Sequence, residues 1–123
     1  MKISTLNSSS SPIYEQISKQ IRSKIIIGEL KPGDPLPSIR SLAREIEVSV
    51  TTTKKAYDLL EREGYLDSVT GKGTFVAEKN EELIHEIKMK IIEDRISEAV
   101  SDARLFGVSR KKLNEMLNLL YEE

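Results

Sequence analysis

The sequence predicts a mainly α-helical fold carrying one small β-hairpin, and three observations predict it. Isoleucines recur every four residues at Ile13, Ile17, Ile21 and Ile25, the stripe of one amphipathic helix. Two short apolar-periodic runs, each preceded by a serine, lie on either side of a tight turn at Glu47-Val48. Two short runs of β-forming residues flank Thr70-Gly71-Lys72-Gly73, after which the helical period returns and continues to Leu120.

In chain order, residues 1–11 end in Asn7-Ser8-Ser9-Ser10-Ser11 and read as a flexible leader. Ser11 is the expected N-cap of the first helix, Pro12 its first helical residue and Gly28 its end. Lys31-Pro32-Gly33-Asp34-Pro35 is turn chemistry. Ser38 is placed to cap a short helix bearing Ile39, Leu42, Ala43 and Ile46. Ser49 is placed to cap the next helix, in which Ala56, Leu59 and Leu60 face inward with Tyr57 near them, until Gly64 terminates it. Tyr65–Val69 and Thr74–Ala77 read as strands, and the paired glycines between them suit a hairpin loop. Asn80 is the expected cap of a long helix whose apolar positions are Leu83, Ile84, Ile87, Ile91, Ile92, Ile96, Ala99, Val100 and Ala103. Gly107 breaks it, and Ser109 caps a last helix with Leu113, Met116, Leu117, Leu120 and Tyr121.

Two short helices joined by a tight turn, the second opening with hydroxyl residues, form the helix-turn-helix pattern; a hairpin behind them makes the winged form. The expected organisation is the leader over 1–11, a winged helix-turn-helix domain over 12–78 and a two-helix tail over 79–123. A length of 123 residues suits one domain plus such an appendage. The tail is too short to bury its own isoleucines, and the simplest outlet is the same segment of a second chain. Ile84, Ile87, Ile91, Ile96, Leu113, Leu117 and Leu120 are therefore the expected dimerisation residues of a homodimer.

Composition narrows the function. Apolar residues make up 38% and charged residues 32% of the chain. No apolar run reaches the length of a membrane span, and residues 1–11 lack the apolar core of a secretory signal, so a cytoplasmic location without membrane association is expected. There is no cysteine, hence no disulfide scaffold and no thiolate chemistry. The only histidine, His85, has glutamates around it but no second imidazole, so neither a metal site nor a cofactor is expected. No nucleophile–base motif supports catalysis, and Gly71-Lys72 lacks the flanking residues of a phosphate loop. The net charge is −1, and residues 1–78 carry 11 Lys and Arg against 10 Asp and Glu. A nucleic-acid site must therefore be a local patch rather than a property of the whole chain.

The patch has candidates. The Arg40 guanidinium, in the first turn of the second helix, has the fork geometry for phosphate or guanine. Ser49 is either a pure cap or a phosphate contact, and Thr52 is expected to reach a phosphate. The methyls of Val50 and Thr51 could pack on a thymine methyl, whereas Thr53 could instead face the core. Lys54 and Lys55 point about 100° apart on a helix, so at most one faces a groove squarely, and at least one is expected on a phosphate. At the wing tip, Gly71 allows close backbone approach and Lys72 suits a narrow minor groove. These basic residues favour double-stranded DNA over the alternative, a winged-helix module that binds only protein.

The run Pro12-Ile13-Tyr14-Glu15-Gln16-Ile17, then Gly28-Glu29-Leu30-Lys31-Pro32-Gly33-Asp34, then Leu36-Pro37-Ser38-Ile39-Arg40-Ser41-Leu42-Ala43, resembles the DNA-binding domain of the GntR family of bacterial repressors. Val48-Ser49, Thr51-Thr52, Ala56-Tyr57, Leu60-Glu61, Glu63-Gly64 and Gly71-Lys72-Gly73-Thr74-Phe75-Val76 continue it, so the resemblance spans residues 12–77 without a gap. It implies a DNA-contacting arginine at Arg40 and a further contact at Ser38. Val50 departs from members that carry arginine there, which removes a bidentate guanine reader. Most members append a large effector domain; the short tail here is similar to the YtrA-type members, whose tails dimerise. The resemblance implies a dimeric repressor of operator DNA, often at a transporter operon. With no ligand domain, the simpler expectation is activity set without a ligand; the alternative is a small-molecule effector of unknown identity, whose site would lie in or beside the tail.

Overall fold

The computed structural model describes residues 1–78 and 81–123 and divides into two compact units, Met1–Glu81 and Glu82–Glu123. Asn80, the expected cap of the long helix, lies outside the described residues.

Unit one is built on α1 (Ile13–Ile26), α2 (Ile39–Glu45) and α3 (Val50–Arg62), followed by β1 (Leu66–Val69) and β2 (Gly73–Val76). The isoleucine stripe is the buried face of α1, where Ile17, Ile21 and Ile25 sit with Ser18, while Ile13 is half-buried. The Ser18 hydroxyl donates to the Tyr14 carbonyl one turn back, which makes its burial tolerable. Leu42 and Ala43 from α2, Ala56, Tyr57 and Leu60 from α3, and Leu66 and Val76 from the hairpin are buried with them. Each large apolar side chain buried there stabilises by about 1.5–3 kcal/mol.

α2 and α3 open and close by local chemistry. The Ser38 hydroxyl accepts from the Ser41 amide at 3.0 Å, and the Ser49 hydroxyl accepts from the Thr52 amide at 3.1 Å. α2 ends when the Val48 amide donates to the Ala43 carbonyl and the Glu47 amide to that of Arg44. That closure places Glu47 at φ 56°, a left-handed conformation normally left to glycine. α3 closes the same way, with Gly64 in that position.

The hairpin pairs Leu66 with Val76 and Val69 with Gly73 in an antiparallel register. β2 also pairs on its other side, where Gly33 and Leu36 donate to the Val76 and Thr74 carbonyls and Val76 donates to Asp34. The segment read from sequence as a turn thus continues into a rail alongside the wing strand. Its local signals are those of a turn; the pairing comes from a partner about forty residues away, which no local pattern reports.

Two expectations at the N-terminus are corrected. Pro12, not Ser11, is the N-cap of α1, and no side chain caps it. The Ser11 carbonyl instead accepts from the Gln16 amide. Nor is the 1–11 leader free along its first half. The Ser4 backbone donates to and accepts from the Gln20 side-chain amide, and Leu6 does the same with Gln16. Alternate residues of an extended chain are thereby matched to residues one helical turn apart, and Ile3 is buried. Replacing Gln16 and Gln20 together by methionine should keep α1 but lower stability by about 1–2 kcal/mol. Denaturant unfolding measures the loss, and native-state hydrogen exchange tests its cause. Ser4 and Leu6 amides that already exchange at the free-chain rate in the unaltered protein would contradict the clamp.

Unit two contains α5 (Arg110–Tyr121) and most of α4 (Glu81–Phe106). Gly107, at φ 73°, ends α4, with the Val108 amide on the Ala103 carbonyl, and Ser109 caps α5 through the Lys112 amide. Ala103 is the one buried residue of α4, and α5 buries none.

Candidate nucleic-acid interface

The buried face of α3 is Thr53, Ala56, Tyr57 and Leu60. Thr53 turns inward, and its hydroxyl donates to the Ser49 carbonyl at 3.1 Å. The helix therefore presents Val50, Thr51, Lys54 and Asp58 outward, at three- and four-residue spacings. The Ser49 hydroxyl, besides capping, donates to the Thr52 hydroxyl at 2.8 Å, so these two groups hold each other at the start of the helix.

The adjacent lysines diverge as their spacing requires. Lys54 Nζ meets Asp58 Oδ2 at 2.6 Å, one turn along the same face. Lys55 leans to α1, where its Nζ lies 4.0 Å from the Tyr14 ring centroid, a cation–π distance.

α2 supplies the other cations. Arg40 is exposed and makes no hydrogen bond or ion pair among the described residues. Arg44, one turn further on, is exposed in the same way. The sequence reading passed over Arg44, although its four-residue spacing from Arg40 places both on one face. Ser38 spends its hydroxyl as acceptor in the cap, so its free capacity is the O–H donor.

One buried hydroxyl joins the two helices. Tyr57 Oη donates to the Pro37 carbonyl at 2.8 Å, immediately before the α2 cap. Burial, with the Glu45 charge adding to it, pushes the Tyr57 pKa upward, so the donor keeps its proton. The sequence places Tyr57 only near the inward face; its acceptor, twenty residues back, became visible through the fold. Elsewhere in unit one, Arg22 bridges Glu63 at 2.7 Å and its guanidinium lies 5.8 Å from the Tyr65 ring centroid.

At the wing tip, Gly71 takes φ 77° and Gly73 φ 117°, and the Lys72 amide donates to the Val69 carbonyl at 2.9 Å. The Lys72 side chain is exposed and has no partner among the described residues.

In the tail, Ile84, Ile87, Ile91 and Leu113 are half-buried, while Ile96, Leu117 and Leu120 are 57%, 51% and 63% exposed. Between α4 and α5 lies a groove of about 690 Å³, lined by Ile96, Val100, Leu113, Leu117 and Leu120 among others. Among the described residues no helix is long and apolar enough to cross a membrane.

Capped α2 and α3 joined by a Glu47 turn, with a hairpin carrying a free lysine at its tip, define a winged helix-turn-helix DNA-binding transcription regulator. Residues 13–76 match the family model of bacterial regulatory proteins, gntR family, and the chain belongs to that family. It is 41% identical over 109 residues to the HTH-type transcriptional repressor YtrA of Bacillus subtilis (strain 168), spanning 89% of this chain and 84% of that one. Because that similarity runs through the tail, the chain is a YtrA-type member. A GntR family transcriptional regulator from Listeria monocytogenes superposes with a TM-score of 0.78 at 30% identity, over 90% of this chain and 96% of that one. The DNA-binding domain of AraR, solved with operator ORX1, superposes with a TM-score of 0.55 at 35% identity, over 60% of this chain and 94% of that one.

Proposed function

We propose that this regulator is a dimeric repressor that binds a roughly palindromic operator and blocks polymerase by occupying it, at an operon of transporter type. The observation that carries the DNA surface is the pair of exposed, unpartnered arginines on α2, Arg40 and Arg44, beside a hydroxyl-capped recognition helix. Lys72 extends the surface at the wing tip. The superposition on a domain solved with its operator supports DNA as the partner of this unit. Homodimerisation through the tail is supported by the uncovered apolar side chains of α5 and the open groove beside α4. A two-fold dimer presents two recognition helices, which is why the operator should be palindromic. Repression is supported by similarity to the repressor YtrA, and the transporter link by the resemblance of the short tail to YtrA-type members.

Salt dependence tests the reading. Three or four cationic phosphate contacts per subunit correspond to about six to eight per dimer, so log K should fall by about 5–7 per decade of salt. The measurement is fluorescence anisotropy on the promoter fragment upstream of the protein's own operon. A slope near zero would remove DNA from the function and leave a protein-interaction module.

A further inference from the structure

We propose that Asp58 is a specificity-determining residue of the DNA surface, which withholds the Lys54 ammonium from DNA that offers no other good contacts. The inference rests on the DNA-binding reading above.

Asp58 lies on the outward face of α3, one turn beyond Lys54 and opposite the buried Thr53, Ala56 and Tyr57. Lys54 Nζ and Asp58 Oδ2 are 2.6 Å apart, and the two side chains are 59% and 47% exposed. The remaining lysine of the helix, Lys55, is drawn aside to the Tyr14 ring. Of the first two turns, that leaves uncharged Val50 and Thr51 as the unengaged outward groups. The first two turns of the recognition helix thus meet DNA nearly neutral, and α2 and the wing supply cations without a partner among the described residues.

Sequence-independent affinity grows with the number of cations that displace counterions from phosphates. A lysine bound to a carboxylate displaces fewer. An exposed pair at four-residue spacing is weak and screened, so it yields when a neighbouring contact such as Arg40 seats the helix fully. On the wrong duplex no such contact offsets the breaking of the pair, and Lys54 stays with Asp58. Asp58 then discriminates between duplexes by competing with phosphate for the lysine.

The test compares the full-length protein, Asp58→Asn, Lys54→Gln and the double variant in salt titrations. The probes are a duplex selected by the unaltered protein from a randomised pool and a scrambled duplex of equal composition. Asp58→Asn should bind the scrambled duplex roughly eightfold tighter per engaged subunit at about 0.1 M salt, with the slope steeper by about 0.9 per subunit. The ratio of selected to scrambled affinity should fall. In the Lys54→Gln background the same substitution should change neither quantity. An unchanged slope overturns the proposal, and so does an equal change without Lys54, which would make the carboxylate act on DNA directly. Loss of the selected duplex alone would also overturn it, by making Asp58 a reader of a base. An unaltered protein that enriches no duplex from the randomised pool overturns the DNA-binding reading itself.

Discussion

Arg40→Ala is expected to abolish specific operator binding while leaving the fold intact. A good base or charged phosphate contact is worth roughly 1–3 kcal/mol per half-site, and a two-fold dimer doubles it to about 2–6 kcal/mol. The fold should be indifferent because Arg40 is exposed and bonds to nothing among the described residues. Surface substitutions of that kind usually stay within about 0.5 kcal/mol. Titration against the operator and a thermal melt, run on the same preparation, separate the two effects. Operator affinity equal to that of the unaltered protein, with an unchanged melt, would reject Arg40 as a contact. Because Arg44 shares the face, Arg44→Ala makes a useful companion and should weaken binding in the same direction.

Removal of the tail after Ala77 should have an effect of similar size by a different route. Residues 1–81 form a compact unit with their own buried core, so the fragment should fold. It should be monomeric, because the uncovered apolar residues proposed to pair, such as Leu117 and Leu120, leave with the tail. Each half-site would then be bound without help from the other, and affinity for the full operator should drop by about 10²–10⁴. Sedimentation at micromolar concentration decides the assembly. A fragment that stays dimeric would place the interface in the winged unit. In the full chain, Leu117→Asp with Leu120→Asp should reproduce the monomer without deleting anything, since charge in a buried interface is costly.

Much of this architecture is legible in one sequence because its signals are local. The isoleucine period and the serines ahead of α2, α3 and α5 each act within one or two turns, and Ser38, Ser49 and Ser109 all cap as expected. Glycines past the helix ends do likewise at Gly64 and Gly107, and the paired glycines of the wing close the hairpin where the strands require it. The candidate residues on α2 and on the wing were legible for the same reason. Their exposure follows from the helical and strand periods that bury their neighbours.

Only tertiary structure decided what depends on distant partners. Residues 33–36 became a rail for β2 because its free edge offered amides and carbonyls to a segment that reads locally as a turn. The N-terminal residues were held because Gln16 and Gln20, one turn apart, match the spacing of Ser4 and Leu6. Lys54 and Lys55 look alike in the sequence, yet one meets Asp58 and the other Tyr14, because a 100° rotation sends them to different neighbours. By itself the sequence determined the helices, the hairpin and the order that makes a winged helix-turn-helix, since caps, turns and periodicity act between near neighbours. The tertiary structure decided which of its cations stand free, because a side chain's partner is set by what the fold brings beside it.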